Sequence, residues 1–179
     1  MPLIIVEGSR KSGKSYLIEN QKEIPIFKFD FNSNFSTWDF GKQSEITHWF
    51  GLGKEVMLHE LNLSGFFPSK LIVDRGILTN SVWGVFQGRI TKKQAETDLI
   101  NFHKRGLFRR TTIILVKGEW NEKRTKDIWD HEDSRIAEER SLFNEFSLLL
   151  KGLGVDIKIF NNKFDLESVV RFKNEIKNI

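Results

Sequence analysis

A run of residues near the start of the chain has the types and spacing for phosphate chemistry. Gly8-Ser9-Arg10-Lys11-Ser12-Gly13-Lys14-Ser15 reads G-x-x-x-x-G-K-S. In this pattern the backbone N–H groups gather around phosphate oxygens. Gly8 and Gly13 permit the tight curl. The helix that follows adds the partial positive charge of its N-terminus. Lys14 supplies an ammonium for the β- and γ-phosphates, and Ser15 a hydroxyl for Mg²⁺. The expected ligand is ATP with Mg²⁺, held by Gly8, Ser9, Arg10, Lys11, Ser12, Gly13, Lys14 and Ser15. A glycine turn before a surface helix is the bland alternative.

Three further positions have suitable chemistry. Asp74 follows an apolar run directly, where a carboxylate can help to hold Mg²⁺. It could instead cap the helix that starts near Gly76. Arg75 can grip a phosphate bidentately, or form a salt bridge at the sheet edge. Asp30 could take the proton of a hydroxyl acceptor, or simply bond the loop backbone beside Asn32 and Ser33.

Such groups act only if secondary structure brings them together. Leu3–Glu7 reads as a strand ending at the glycine loop, and a helix runs from there to about Asn20. Further strands are expected at Ile24–Phe29, Lys70–Val73, Thr112–Val116 and Val155–Phe160. Between them, helices are expected at Glu45–Leu63, Leu78–Phe86, Thr91–Arg105 and Arg135–Lys151, with a last one at Leu166–Ile176. In the Glu45 helix the apolar Ile46, Phe50, Met57 and Leu61 set the spacing, and Gly51 and Gly53 threaten to split it. Alternating strands and helices predict an α/β fold with a parallel five-stranded sheet covered on both faces. Ligands of such sheets sit at the carboxyl ends of the strands. Glu7, Asp30 and Asp74 all fall at those ends, so they should converge with the loop on one crevice.

Composition narrows the function classes. The chain has 179 residues, enough for one domain with a sizeable core. With 28 basic and 24 acidic residues the net charge is +4, which suits an anionic substrate but is weak as a nucleic-acid signature. The basic patch Lys104, Arg105, Arg109 and Arg110 keeps nucleic acid as a less favoured partner. There is no cysteine, so disulfides, thiolate metal sites and cysteine catalysis are excluded, in keeping with a cytoplasmic location. No apolar run reaches transmembrane length and no signal-peptide pattern opens the chain. His48, His59, His103 and His131 are scattered without ligand spacing. The pair His59-Glu60 is expected at the surface, and His48-Trp49-Phe50 in the core.

The motifs together resemble a known family. Glu7-Gly8 ahead of Lys14-Ser15 resembles the E-G-x-x-x-x-G-K-S/T opening of thymidylate kinases. Asp74-Arg75-Gly76 through Thr79 and Trp83 is similar to their D-R-(aromatic)-x-x-S-x-x-x-Y segment, and to the E-R-S segment of deoxynucleoside kinases. Arg135-Ile136 with Glu139 and Phe143 resembles the end of the thymidylate kinase lid and its helix.

The resemblance implies a three-layer α/β/α P-loop kinase fold forming a single domain, with a lid at about 117–134. It implies phosphoryl transfer from ATP to a nucleoside monophosphate. Asp74 would order Mg²⁺ and Arg75 would touch the acceptor phosphate. Thr79 and Trp83 would line the acceptor pocket. Of the cations Lys123, Arg124, Lys126, Arg135 and Arg140, Arg124 and Arg135 are the best placed to act, although Asp127, Asp130, Glu132, Asp133, Glu138 and Glu139 among them point more strongly to a solvated mixed-charge surface.

The chain departs from the family at Gly76, where an aromatic is usual, at Ser134 and Ala137 in the lid segment, and in two longer stretches. Arg10-Lys11-Ser12 stands where an acid is usual, and Lys11 could reach the γ-phosphate. Phe29-Asp30-Phe31 replaces R-E-P-G-G, which opens the alternative of a hydroxyl acceptor: a deoxynucleoside, or a polynucleotide end or base. A non-catalytic nucleotide-binding module is the third reading. The expected partners are a nucleotide or nucleoside and, as an option, a second copy of the chain.

Overall fold

The structure, a computed structural model, describes residues 2–28, 45–67, 69–118 and 133–179. Asp30, Arg124 and most of the expected lid lie outside the described residues.

Five strands, β1 (Leu3–Glu7), β2 (Ile26–Lys28), β3 (Leu71–Asp74), β4 (Thr111–Gly118) and β5 (Asp156–Asn162), form one sheet in the order β2-β3-β1-β4-β5. Every neighbouring pair is parallel. Among the described residues the helices are α1 (Lys14–Asn20), α2 (Glu45–Leu63), α3 (Ile77–Phe86), α4 (Lys92–Lys104), α5 (Asp133–Gly152) and α6 (Leu166–Lys177).

The strands read as continuous apolar runs because both faces of the sheet are covered. Alternate residues of β1 go to opposite sides. Leu3 and Ile5 join Val73, Ile113 and Leu115 beneath α2–α5, where Leu58, Val82, Leu99, Phe143 and Phe146 are buried. Ile4 and Val6 join Ile72, Ile114 and Val116 against Leu17 and Ile18 of α1 and Val169, Phe172 and Ile176 of α6. The result is the three-layer α/β/α arrangement. β1 is the central strand, so the loop after Glu7 opens in the middle of the sheet's carboxyl edge. Asp74 of β3 is in register with Val6, next to that loop.

The face of α2 differs from expectation. Ile46, Phe50 and Met57, whose spacing announces the helix, are exposed. Its buried side carries His48, Gly51, Glu55, Leu58, His59 and Asn62. Polar side chains can occupy that side because other elements bond them: His48 pairs with Asp98 at 3.1 Å, His59 with the Leu107 carbonyl at 2.6 Å, and Asn62 donates to the Arg110 carbonyl at 3.2 Å. So His59 is a core group, and Trp49 and Phe50 are exposed. The helix is unbroken at Gly51 because α3 packs there: a Cβ on Gly51 would lie 2.2 Å from Asn80 Oδ1.

Candidate active site

The loop from Gly8 to Gly13 is bounded by two positions where only glycine fits. Gly8 has φ 140°, and a Cβ there would lie 2.4 Å from the Val116 carbonyl oxygen of β4. Gly13 has φ 81°, and a Cβ there would lie 2.2 Å from Asn162 Nδ2 and 2.8 Å from Phe164. Lys11, with φ 59°, completes the curl between them.

Lys14 opens α1 and is 5% exposed. Its ammonium is folded back on the loop, donating to the Gly8 carbonyl at 2.6 Å and the Ser9 carbonyl at 3.0 Å. Burial brings its pKa down to about 8, and the neighbouring Arg75 pushes the same way. Glu7, Asp74 and Glu139 oppose the fall. Lys14 is thus still mainly charged at neutral pH. Ser15, next along, is exposed at the mouth.

Beside the loop, Asp74 closes β3, and its Oδ1 is buried without a hydrogen-bond partner among the described residues. Arg75 has φ 72°, a conformation that costs a non-glycine residue energy and collects at functional sites. Its N–H donates to the Val6 carbonyl at 3.1 Å, and its side chain is exposed.

The acid at the end of β1 has a role that its strand-end position hinted at without specifying. Glu7 is fully buried. It accepts from the N–H groups of Gly76 at 2.9 Å, Leu78 at 3.0 Å and Thr79 at 3.3 Å, and from the Thr79 hydroxyl. These are the free N–H groups of the first turn of α3, and a carboxylate also complements the helix dipole there. Burial pushes the Glu7 pKa up, while Thr79, Lys14 and Gly76 hold it down. The Thr79 hydroxyl is thus engaged by Glu7. Trp83, one turn on, stacks edge to face with Phe86.

Arg10 and α5 also meet here. The Arg10 N–H and Nε donate to Glu139 Oε1 and Oε2, each at 2.8 Å, and the Glu139 carboxylate is buried. The Arg10 guanidinium lies 5.2 Å from the Trp83 ring centroid and 5.3 Å from that of Phe86. Arg135 lies 4.6 Å over the second of these rings, Phe86.

Sequence reasoning missed a group on the far side of the loop. Asn162, the last residue of β5, donates to the Ser12 carbonyl at 3.0 Å and accepts from the Phe164 N–H at 2.9 Å. A polar residue at the carboxyl end of a strand was the one local signal. Glu55 was missed as well. Fully buried in α2, it has Lys54 Nζ 2.5 Å from Oε1, while Oε2 has no hydrogen-bond partner among the described residues. Burial raises its pKa to about 7.

The structure therefore brings together the loop, Lys14, Asp74 and Arg75, and places Arg135 over the Phe86 ring of α3. Among the described residues no cluster of three or more metal-ligating His, Cys, Asp or Glu side chains occurs, and no helix is long and apolar enough to cross a membrane.

No protein-family model matches the chain, and no curated protein matches it. Solved structures share its fold. A deoxyadenosine kinase from M. mycoides, with products dCMP and dCDP, aligns over 99% of this chain and 100% of its own at a TM-score of 0.61 and 15% identity. Thymidylate kinase from Candida albicans aligns over 99% of this chain and 91% of its own at a TM-score of 0.65 and 14% identity. NadR in complex with NR aligns at a TM-score of 0.65 and 12% identity, and there this chain spans only 50% of the other protein's length. The chain thus has the α/β fold of P-loop nucleotide and nucleoside kinases.

Proposed function

We propose that the protein is an ATP-dependent phosphotransferase acting on a nucleoside monophosphate. One observation carries this reading. Lys14, Asp74 and Arg75 converge at the carboxyl ends of the adjacent strands β1 and β3, beside a glycine loop of the kind that gathers N–H groups around phosphate. Kinases of deoxyadenosine and thymidylate among the structures of like fold support the reaction class.

In the reaction an acceptor oxygen attacks the γ-phosphorus of ATP, the bond to the β,γ-bridging oxygen breaks, and ADP leaves. Such transfers depend on positioning and on neutralising spread negative charge. The loop N–H groups and Lys14 would bind the donor phosphates. To do so, Lys14 exchanges the Gly8 and Ser9 carbonyls for phosphate oxygens. Arg75, exposed at the start of the α3 segment, would grip the acceptor phosphate, and Arg135 would add charge from the α5 side. The Asp74 and Ser15 oxygens suit Mg²⁺: Oδ1 of Asp74 is a buried acceptor with no donor among the described residues, and Mg²⁺ on nucleotides needs few protein ligands. When bound, the ion supplies charge neutralisation on the β- and γ-phosphates.

Incubation with labelled ATP and a panel of monophosphates, nucleosides and nucleic-acid ends tests the reading. Label should pass to a monophosphate, and Lys14→Ala should abolish both transfer and ATP binding. Transfer to nucleosides only, lost in Asp30→Asn, would replace the monophosphate with a hydroxyl acceptor. ATP binding with no transfer to any acceptor would make the protein a binding module.

A further inference from the structure

The Arg10 side chain does not turn toward the phosphate cradle. Its N–H and Nε are both taken by the buried carboxylate of Glu139, and its guanidinium rests on the Trp83 and Phe86 rings. These rings belong to α3, the helix that follows Arg75 in the chain. Among the described residues neither Nη nitrogen of Arg10 has a hydrogen-bond partner, and the side chain is 40% exposed. Glu139 therefore fixes one edge of the guanidinium and leaves the other presented. The Glu139 carboxylate is spent on two donors, and Arg135 lies over the same Phe86 ring. With Nε on the carboxylate and the plane resting on two rings, the Nη edge is the part of the Arg10 guanidinium left to meet an anion.

We propose that Arg10 is an acceptor-binding residue: Glu139 holds its guanidinium against Trp83 and Phe86 so that its two Nη groups receive a phosphate of the acceptor. A planar fork with two parallel N–H groups matches two phosphate oxygens. Glu139 acts through Arg10 and is a positioning residue. The inference rests on the reading of the protein as a nucleotide kinase, and it assigns Arg10 to the acceptor in place of the donor.

Calorimetry on the full chain separates the two sides. MgADP is the donor-site probe; the deoxynucleoside monophosphates and the matching deoxynucleosides are the acceptor-site probes. Arg10→Gln and Glu139→Gln should each weaken monophosphate binding about 10-fold or more. MgADP affinity should stay within about threefold of the parent. Arg10→Lys keeps the charge without the fork and should recover binding only in part. A merely structural Glu139 would lower the melting temperature and both affinities together. If Glu139→Gln does not fold, Arg10→Gln and Glu139→Asp carry the test. The inference is overturned if MgADP affinity falls as far as monophosphate affinity, or if Arg10→Gln leaves monophosphate affinity unchanged. It is also overturned if the parent binds MgADP and deoxynucleosides but no monophosphate. Failure of the parent to bind MgADP would instead overturn the nucleotide-kinase reading itself.

Discussion

At the scale of single residues, two buried groups of α2 titrate against each other. Burial lowers the His59 pKa to about 4 from 6.5 and raises that of Glu55 to about 7 from 4.5. The Leu107 carbonyl can only accept, so His59 Nδ1 carries the proton and Nε2 is left as a buried, unpaired acceptor. The His59 contribution is fully present above pH 6.5 and is lost as pH falls through 4. That of Glu55 has the opposite sign: it is present below pH 4.5 and lost as pH rises through 7. Each spans about 3 kcal/mol at most. Between pH 4.5 and 6.5 the two slopes oppose, so the parent's stability should vary little there on their account. Glu55→Gln should unmask the histidine, and its urea midpoint should rise steadily across that window. A Glu55→Gln profile as flat as the parent's would contradict the opposition. The phosphate loop was legible at this scale because its glycines, lysine and serine are adjacent in sequence. The Arg10–Glu139 pair was not, since its partners lie 129 positions apart and each alone reads as a solvated charge.

At the scale of elements, the strands were legible because burial on both faces leaves a continuous apolar run. The inward face of α2 was not. Hydrophobic spacing points to Ile46, Phe50 and Met57, whereas the side that packs is set by partners in α3 and α4, such as Asn80 and Asp98, which no local pattern announces. The two glycines of α2 put this to a test. A Cβ added at Gly53 would meet nothing within 4 Å, so Gly53→Ala should gain about 0.5–1 kcal/mol from helix propensity. Gly51→Ala must displace Asn80 from the His48 carbonyl and should lose about 1 kcal/mol or more. Urea midpoints of the two variants should therefore move in opposite directions, and a parallel shift would show that α2 does not pack on α3 as described.

At the scale of the whole molecule, the site is finished by distant parts of the chain. β1 sits between β3 and β4, Glu139 holds Arg10 from α5, and Asn162 holds the Ser12 carbonyl from β5. Contacts of such long sequence separation slow folding, because loop closure must precede them. In refolding from urea, the capacity to bind MgADP should return with the slowest phase. Binding that returns with the first far-UV circular dichroism change would contradict this order.

The same 150-residue reach from Ser12 to Asn162 has a consequence during protein synthesis. The loop leaves the ribosome 150 residues ahead of the strand that braces it. At about 5–20 residues per second, it waits roughly 7–30 s without its brace. Nucleotide therefore reaches a braced loop only after β5 has been made, and cannot template the loop before then.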